Sequence, residues 1–258
     1  MDFIAYILDH YANCIVGLCL VTVIWLYFRN NPLRHGSWFL VRRFINWFPL
    51  GMTYSFLYMG RYNLNVSKNA LGSLMTNQEF GTIFAVGTGV YAFSFLVNGP
   101  LVDRIGGKRG ILIAAIGSSI ANILLGVLTY LTVMGKLKMN MVVAYSTLYA
   151  VNMYFQSYGA VSIIKVKAYW FHVRERGMFG AIFGALISVG AYFAFDWGKI
   201  IVDLTKANST GGWFHDLLQK LFASNVTVGG KLVDATWAVF FIPAAIMLVW
   251  VVLDIWLI

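Results

Sequence analysis

The sequence predicts an all-α membrane protein with seven membrane-spanning helices. Three observations support this prediction: hydrophobic residues make up 60% of the 258 residues, charged residues make up only 11%, and the apolar residues fall into long runs. About 20 apolar residues are needed to cross a bilayer as a helix, and runs of that length account for most of the chain. The charges lie in the connections between the runs, so the net charge of +9 is interpreted as a topology signal and not as a nucleic-acid interface.

Polar or charged connections define the limits of each apolar run. A basic linker from Arg29 to Arg43 joins the first two runs, and a short charged hairpin joins the third and fourth. The predicted spans are residues 11–28, 44–71, 80–102, 111–133, 141–164, 178–195 and 236–258. The longest polar segment is residues 199–234, in which apolar residues from Trp213 to Leu221 recur at helical spacing. This spacing predicts a short helix that lies on the membrane surface.

The arginines predict the orientation of the chain in the membrane. Eight of the nine lie in the three connections 29–43, 104–109 and 174–176, and only Arg61 does not. Basic residues concentrate on the cytoplasmic side of membrane proteins. Seven of the ten lysines lie on or near the opposite side, four of them in the long polar segment, whose charge has less influence on topology. We therefore expect the N-terminus outside and the C-terminus in the cytoplasm, in a multi-pass protein of the bacterial inner membrane.

The hairpin between the third and fourth spans carries the most informative motif. Asp103 and Arg104 lie where one helix leaves the lipid, and Lys108 and Arg109 lie where the next helix enters it. The glycines that would give so tight a turn its backbone freedom are Gly106, Gly107 and Gly110. The spacing from Gly99 onwards resembles the G-x-L-x-D-R-x-G signature between helices 2 and 3 of the major facilitator superfamily.

This resemblance implies the N-terminal six-helix bundle of a transporter over residues 44–258, built from two inverted three-helix repeats. Residues 1–43 are then an extra N-terminal transmembrane helix with a basic cytoplasmic linker. Because such transporters contain two bundles, we expect a second one as a missing C-terminal half, another subunit or a second copy. The implied cytoplasmic gating motif consists of Gly99, Asp103, Arg104, Gly106, Lys108, Arg109, Arg174, Glu175 and Arg176. Within it, Asp103 is expected to pair with an arginine of the second loop.

Arg61 is the only arginine inside a predicted span. Roughly 17 mostly apolar residues precede it, which at about 1.5 Å each places it past the bilayer centre from the cytoplasmic side. A cation at that depth is costly and commonly marks a substrate path. Guanidinium suits phosphate or carboxylate, so we expect Arg61 to bind an anion. The alternative is that it bonds to helix carbonyls or to polar neighbours such as Tyr62, Asn63 or Gln156.

The residues around Arg61 narrow the resemblance. Residues 58–64, followed by Lys68, resemble helix 1 of the organophosphate:phosphate antiporters, and residues 154–159 and 170–177 are similar to their helix 4 and its loop. These glycerol-phosphate and hexose-phosphate transporters imply the substrate-binding residues Arg61, Tyr62, Asn63, Lys68, Tyr91, Gln156 and Lys165. The family's helix 2 lysine falls on Phe95 and its helix 5 histidine on Ile187, so a phosphate ester is one option among small organic anions.

A stripe of small residues runs along the sixth span. It consists of Gly180, Gly184 and Ser188, with Gly177 just before it. Small residues let another helix approach closely. We expect this stripe to pack within the bundle and not to form a dimer face.

The sequence predicts a secondary transporter, or half of one, that moves a small organic anion by alternating access. It contains no catalytic triad, phosphate-binding loop or metal-ligand spacing, so neither an enzyme nor a cofactor is predicted. The expected partners are the anion, a second bundle and membrane lipid, with no nucleic acid. The alternative is a transporter-like sensor or an accessory or scaffold subunit of a membrane complex that does not transport.

Overall fold

The computed structural model describes residues 11–206, 212–223, 227–228 and 231–258. Within these ranges the chain is helical apart from connections and one small hairpin, formed by β1 (Thr227–Val228) and β2 (Lys231–Leu232). The helices are α1 (Tyr11–Arg29), α2 (Ser37–Leu71), α3 (Asn77–Ile105), α4 (Gly107–Val133), α5 (Met141–Trp170), α6 (Arg176–Tyr192), α7 (Gly198–Leu204), α8 (Trp213–Leu218) and α9 (Ala238–Leu257). A π-helical turn, Phe193–Trp197, joins α6 to α7.

Each predicted span coincides with a helix, and four of the helical segments meet the length and apolarity needed to cross a membrane. These four are Asn77–Ile105, Gly107–Val133, Val173–Leu204 and Ala238–Leu257. The chain is therefore an all-α membrane protein. With 35 and 30 residues, α2 and α5 are also long enough to span, but they carry polar and basic side chains that interrupt their apolar character. The apolar part of α1 is shorter, Asn13–Arg29.

The helices pack around α2 and α5. Helix α5 packs along both α3 and α4, while α2 packs along both α6 and α9; α4 also contacts α9, α2 contacts α5, and α1 packs on α6. If α2 is exchanged with α5, α3 with α6 and α4 with α9, the contacts of α5 with α3 and α4 become those of α2 with α6 and α9. The α4–α9 and α2–α5 contacts are unchanged by this exchange. These interfaces all lie between the first three and the last three bundle helices. Within the first three, α2 and α3 also contact α4, and no interface of comparable extent joins α5 or α6 to α9.

The hairpin between α3 and α4 is as short as predicted. Helix α3 ends at Ile105 and α4 begins at Gly107, so a single residue joins them, Gly106, whose φ is 88°. The prediction that the turn needs a flexible backbone is correct for Gly106. It is wrong for Gly107 and Gly110, which are helical. A Cβ on Gly107 would meet Val166 and the carbonyl of Ser162. Gly110 faces the Ser162 hydroxyl in the same way, so close packing against α5 explains both residues.

The small-residue stripe on α6 does not pack within the described part of the bundle, so that prediction was wrong. Gly177, Gly184 and Ser188 are exposed, and no atom lies within 4 Å of a Cβ built on either of these two glycines. Gly180 meets only the Lys167 Nζ, at 3.6 Å. The tight contact of α6 comes instead at Gly190, which does not belong to the stripe.

Alanine at Gly190 is expected to destabilise the protein, whereas alanine at Gly184 is not. A Cβ on Gly190 would lie 2.5 Å from the backbone oxygen of Ser55 and 2.9 Å from its Cα, atoms that can move only if α2 shifts. Overpacking of this kind costs about 1–3 kcal/mol. Gly184→Ala on the same helix meets open space and should be neutral or add about 0.5–1 kcal/mol of stability. Thermal unfolding of the two variants in one detergent measures the difference, and equal midpoints would contradict the close contact.

The predicted surface helix is present as α8. Trp213 and Leu217 on this helix are exposed, Leu221 just beyond it is exposed as well, and Leu218 is buried against the bundle. The helix therefore presents an apolar side outward, while His215 and Leu218 are its buried residues. This arrangement is compatible with a position at a membrane surface.

Candidate functional site

Arg61 lies on α2 between two tyrosine rings. Its guanidinium carbon is 4.9 Å from the ring centre of Tyr58 on the same helix and 4.4 Å from that of Tyr91 on α3. Cation–π contacts of this kind stabilise by about 0.5–2 kcal/mol. Sequence analysis placed Arg61 and Tyr91 in one site, and the structure brings them together.

Two of the three guanidinium nitrogens of Arg61 are buried and lack a hydrogen-bond partner. These are Nε and Nη2, and among the described residues Arg61 forms no ion pair. A buried donor on a charged group is costly when it is unpaired. The tyrosine rings compensate the charge only in part, because an aromatic face attracts a cation without accepting its N–H groups in a directional way. Two donors of this side chain therefore remain without an acceptor among the described residues.

Further aromatic side chains line the same region of α2, α3 and α5. Tyr54 packs edge-on against Tyr58, with 5.6 Å between ring centres, and Phe95 packs edge-on against Tyr91 at 4.8 Å. Phe95 stands where the antiporter family has its lysine, so the structure places an apolar ring, and no second cation, beside Tyr91. Tyr62 packs on Phe195 in a tilted arrangement, with 5.3 Å between ring centres, and also contacts Tyr58 at 6.0 Å, so it borders the Arg61 site through Tyr58.

A buried polar network fixes the backbone of α2 around Arg61. Asn152 on α5 donates to the carbonyl of Gly60 at 2.8 Å, and Gln156, one turn later, donates to the carbonyl of Leu57 at 2.8 Å. The hydroxyl of Tyr149 donates to the carbonyl of Arg61 itself at 3.2 Å. Three side chains of α5 therefore hold α2 in place at the residues that flank the guanidinium.

Helix α4 completes this network. Ser118 donates to the amide oxygen of Asn152 at 2.6 Å and accepts from Gln156 at 2.9 Å. Asn63 on α2 donates to the amide oxygen of Asn122 at 2.6 Å. All five side chains are at most 2% exposed. The amide nitrogens of Asn63 and Gln156, which sequence analysis assigned to the substrate, are thus engaged in interhelical bonds, whereas their amide oxygens are buried without a hydrogen-bond partner among the described residues.

Sequence analysis missed Ser118, Asn122 and Asn152. A signal for them existed, because Ser118 and Asn122 lie four residues apart, as do Asn152 and Gln156. This spacing puts each pair on one face of an apolar helix. Polar pairs on a membrane-spanning helix commonly form bonds to neighbouring helices.

The two predicted lysines do not lie at this site. Lys165 is nine residues beyond Gln156 on α5, and its Nζ lies 2.6 Å from Asp103 Oδ1. Lys68 is seven residues beyond Arg61 on α2, about 10 Å away along the helix axis. The structure therefore does not bring either lysine to Arg61.

The charged residues of the predicted gating motif lie at one end of the bundle, here called the arginine-rich end. It comprises the start of α2, the α3–α4 hairpin and the residues that follow α5. The expected pairing of Asp103 with an arginine was wrong, since the partner of Asp103 is Lys165. The physical reason is that α5 continues as helix to Trp170 and carries Lys165 over the hairpin.

Glu175 forms the best-buried ion pair among the described residues. Its carboxylate lies 3.0 Å from Nη1 of Arg43, and both side chains are 1% exposed. The Arg43 Nε donates to the hydroxyl of Tyr27 at 2.9 Å, and that hydroxyl donates to the carbonyl of Leu40 at 2.8 Å. Since Tyr27 belongs to α1, this cluster ties the first helix to the bundle.

The remaining residues of the motif are mostly exposed. Arg104, Arg109 and Arg174 are exposed and Lys108 is partly buried. Arg176 donates to the carbonyls of Phe171 and Ala168, at 3.2 and 3.3 Å. It therefore caps the carboxyl end of α5, a favourable place for a cation.

No protein-family model, curated protein or solved structure matches this chain. The resemblance to the major facilitator superfamily stays a prediction carried by the motifs quoted above. The structure itself shows a helical bundle of a membrane protein, in which the guanidinium of Arg61 is partly buried and, within the described chain, unpaired.

Proposed function

We propose that this chain is a six-helix bundle of a secondary active transporter of the major facilitator type, and that it moves a small organic anion by alternating access. The observation that carries the proposal is Arg61. Two of its buried nitrogens have no partner among the described residues, and three side chains of α5 hold the backbone of α2 in place around it. A phosphate or carboxylate supplies the two acceptors that a guanidinium fork binds side by side.

The repeated helix contacts support this assignment. Transporters of this type contain inverted repeats, and their substrates bind near the middle of the membrane where the repeats meet. In the proposed arrangement α2, α3 and α4 form one repeat, and α5, α6 and α9 form the other. A repeat of three spans reverses the direction of the next one, so the second repeat is inverted. Arg61 and the α5 side chains that fix its backbone then lie at the junction of the two repeats.

A second bundle is part of the proposal. The most apolar segment of α3 is only 17% buried within this chain, compared with 61% for α4. Helix α3 carries Tyr91, so the site faces the same open side. A missing C-terminal half, another subunit or a second copy of this chain would close the site on that side, and lipid would cover the rest.

The test is uptake of labelled anions by vesicles that contain the purified protein. Inorganic phosphate, glycerol 3-phosphate and succinate are the probes, and vesicles without protein provide the background. Saturable uptake of at least one probe supports transport. Binding without uptake would favour the second candidate, a transporter-like sensor or scaffold subunit. The specific observation behind that candidate is Phe95, which packs on Tyr91 where the family resemblance calls for a lysine.

The proposed orientation gives a separate prediction. Single cysteines at Asn31, Arg109 and His172 should be protected from a membrane-impermeant thiol reagent in intact cells, because the arginine-rich end is cytoplasmic. A cysteine at Lys138, between α4 and α5, should be labelled. The background protein needs Cys14 and Cys19 replaced by serine. Labelling at Arg109→Cys in intact cells would reverse the topology.

A further inference from the structure

Asp254 is a fully buried carboxyl group that the anion site does not use. It lies in the last turn of α9 and is 0% exposed. The hydroxyl of Thr53 on α2 donates to its Oδ2 at 2.6 Å, whereas its Oδ1 is buried and has no hydrogen-bond partner. One carboxyl oxygen is satisfied, and the other faces the protein interior.

The groups that face Asp254 do not neutralise it. From α2 the polar contact is Thr53, which does not titrate. From α4 the positive charge of Lys108 acts on the carboxyl through space, but within the described chain Asp254 forms no ion pair at 4.0 Å or less. Helix α7 also packs on α9. Its charged residues Lys199 and Asp203 are exposed and lie at the opposite end of the bundle.

An ionised carboxylate in this position would be costly. Removing a carboxylate from water without a paired cation costs several kcal/mol, and one hydrogen bond repays only part of that. Binding a proton converts the carboxylate into a neutral acid and removes the charge. We propose that Asp254 is a proton-binding site, and that its proton is the ion coupled to anion transport.

The protonation of Asp254 stands on its own burial, and only the coupling role rests on the proposed function. Thr53 and Arg61 lie eight residues apart on α2, about 12 Å along the helix. The proton site and the anion site are therefore distinct but share one helix. A movement of α2 that opens the anion site toward one side would also change the contact between Thr53 and Asp254, and with it the preference for the proton.

The experiment is labelling with dicyclohexylcarbodiimide, an apolar reagent to which a protonated carboxyl group adds without a leaving group. Peptide mass spectrometry on the full-length protein measures the modified fraction of Asp254 from pH 5 to pH 9. We expect labelling at pH 5 that falls by up to about tenfold per pH unit once the group ionises. Asp103, which is exposed and paired with Lys165, is the internal control and should stay unlabelled at neutral pH.

Two variants make the outcome specific. Thr53→Val removes the bond to the charged form, so labelling should persist to a pH about one to two units higher. Asp254→Asn keeps an acceptor for Thr53 without a titratable group. Because deprotonation leaves a charge buried, the thermal midpoint of the wild type should fall relative to that of Asp254→Asn as the pH rises.

The proposal is overturned if Asp254 remains unlabelled at pH 5 in the folded protein but reacts after denaturation. A constant difference in midpoint between wild type and Asp254→Asn across this pH range would overturn it as well. Both results are independent of anion binding at Arg61. Uptake that occurs without any pH dependence in a protein whose Asp254 is labelled would remove only the coupling role.

Discussion

Arg61→Ala is expected to abolish anion binding and uptake while the protein still folds and inserts. The guanidinium contributes two N–H groups that have no other acceptor among the described residues, so the anion loses its principal contact. Two charge-assisted hydrogen bonds of at least about 1.5 kcal/mol each correspond to a loss of about a hundredfold or more in affinity. Removing the charge also removes an unpaired group from the interior, so the thermal midpoint should equal or exceed that of the wild type.

The Arg61→Lys variant separates the effect of the positive charge on anion binding from the effect of the planar guanidinium. Arg61→Lys keeps the positive charge but lacks the planar fork, so binding should weaken by roughly tenfold and not disappear. Arg42→Ala is the matched control, because it removes one arginine from the exposed face of the same helix. Its binding should equal that of the wild type. Binding is measured on purified proteins with inorganic phosphate, glycerol 3-phosphate and succinate.

Equal binding by wild type, Arg61→Lys and Arg61→Ala would make Arg61 a structural residue. The same conclusion would follow if the wild type bound none of the three probes. In either case the sensor or scaffold function becomes the better proposal. The unpaired nitrogens would then need another acceptor, such as a group from the second bundle.

The helices and Arg61 could be predicted from the sequence because the signals for both are local. A run of about 20 apolar residues is enough to indicate a spanning helix, and one arginine within such a run is conspicuous. The ends were less predictable. Helix α2 begins at Ser37, seven residues before the predicted span, because its first two turns extend beyond the apolar run and carry Arg42 and Arg43.

The partners within the site could not be predicted, because they depend on which helices are neighbours. The spacing of Asn122 with Ser118 and of Asn152 with Gln156 marks polar helix faces, but their partners become visible only when α5 is placed against α2 and α4. Lys165 was assigned to the substrate, although its position on α5 brings it to Asp103. Asp254 lies four residues before the end of the last predicted span, and only the packing of α9 on α2 reveals that it is buried.

The second large effect is expected at the arginine-rich end, where Glu175→Gln or Arg43→Met should strongly destabilise the protein. Each change leaves the other partner as a buried charge, since both side chains are 1% exposed. Breaking a buried ion pair from one side costs about 3–5 kcal/mol. His35 lies 3.6 Å from the Glu175 carboxylate and contacts it from the edge of the cluster, so it replaces Arg43 only in part.

The double variant Arg43→Met with Glu175→Leu tests whether the cost arises from the unpaired charge. Apolar residues of similar size leave no buried charge behind, so the double variant should be more stable than either single variant. The loss of one hydrogen bond to Tyr27 still costs about 1 kcal/mol, because Arg43 no longer donates to its hydroxyl, which keeps its own bond to the Leu40 carbonyl. Arg174→Met is the control, since this neighbouring arginine is exposed and should change stability by less than about 0.5 kcal/mol. Thermal unfolding in one detergent ranks the four variants, and single variants as stable as Arg174→Met would show that the pair does not hold α2 to the loop after α5.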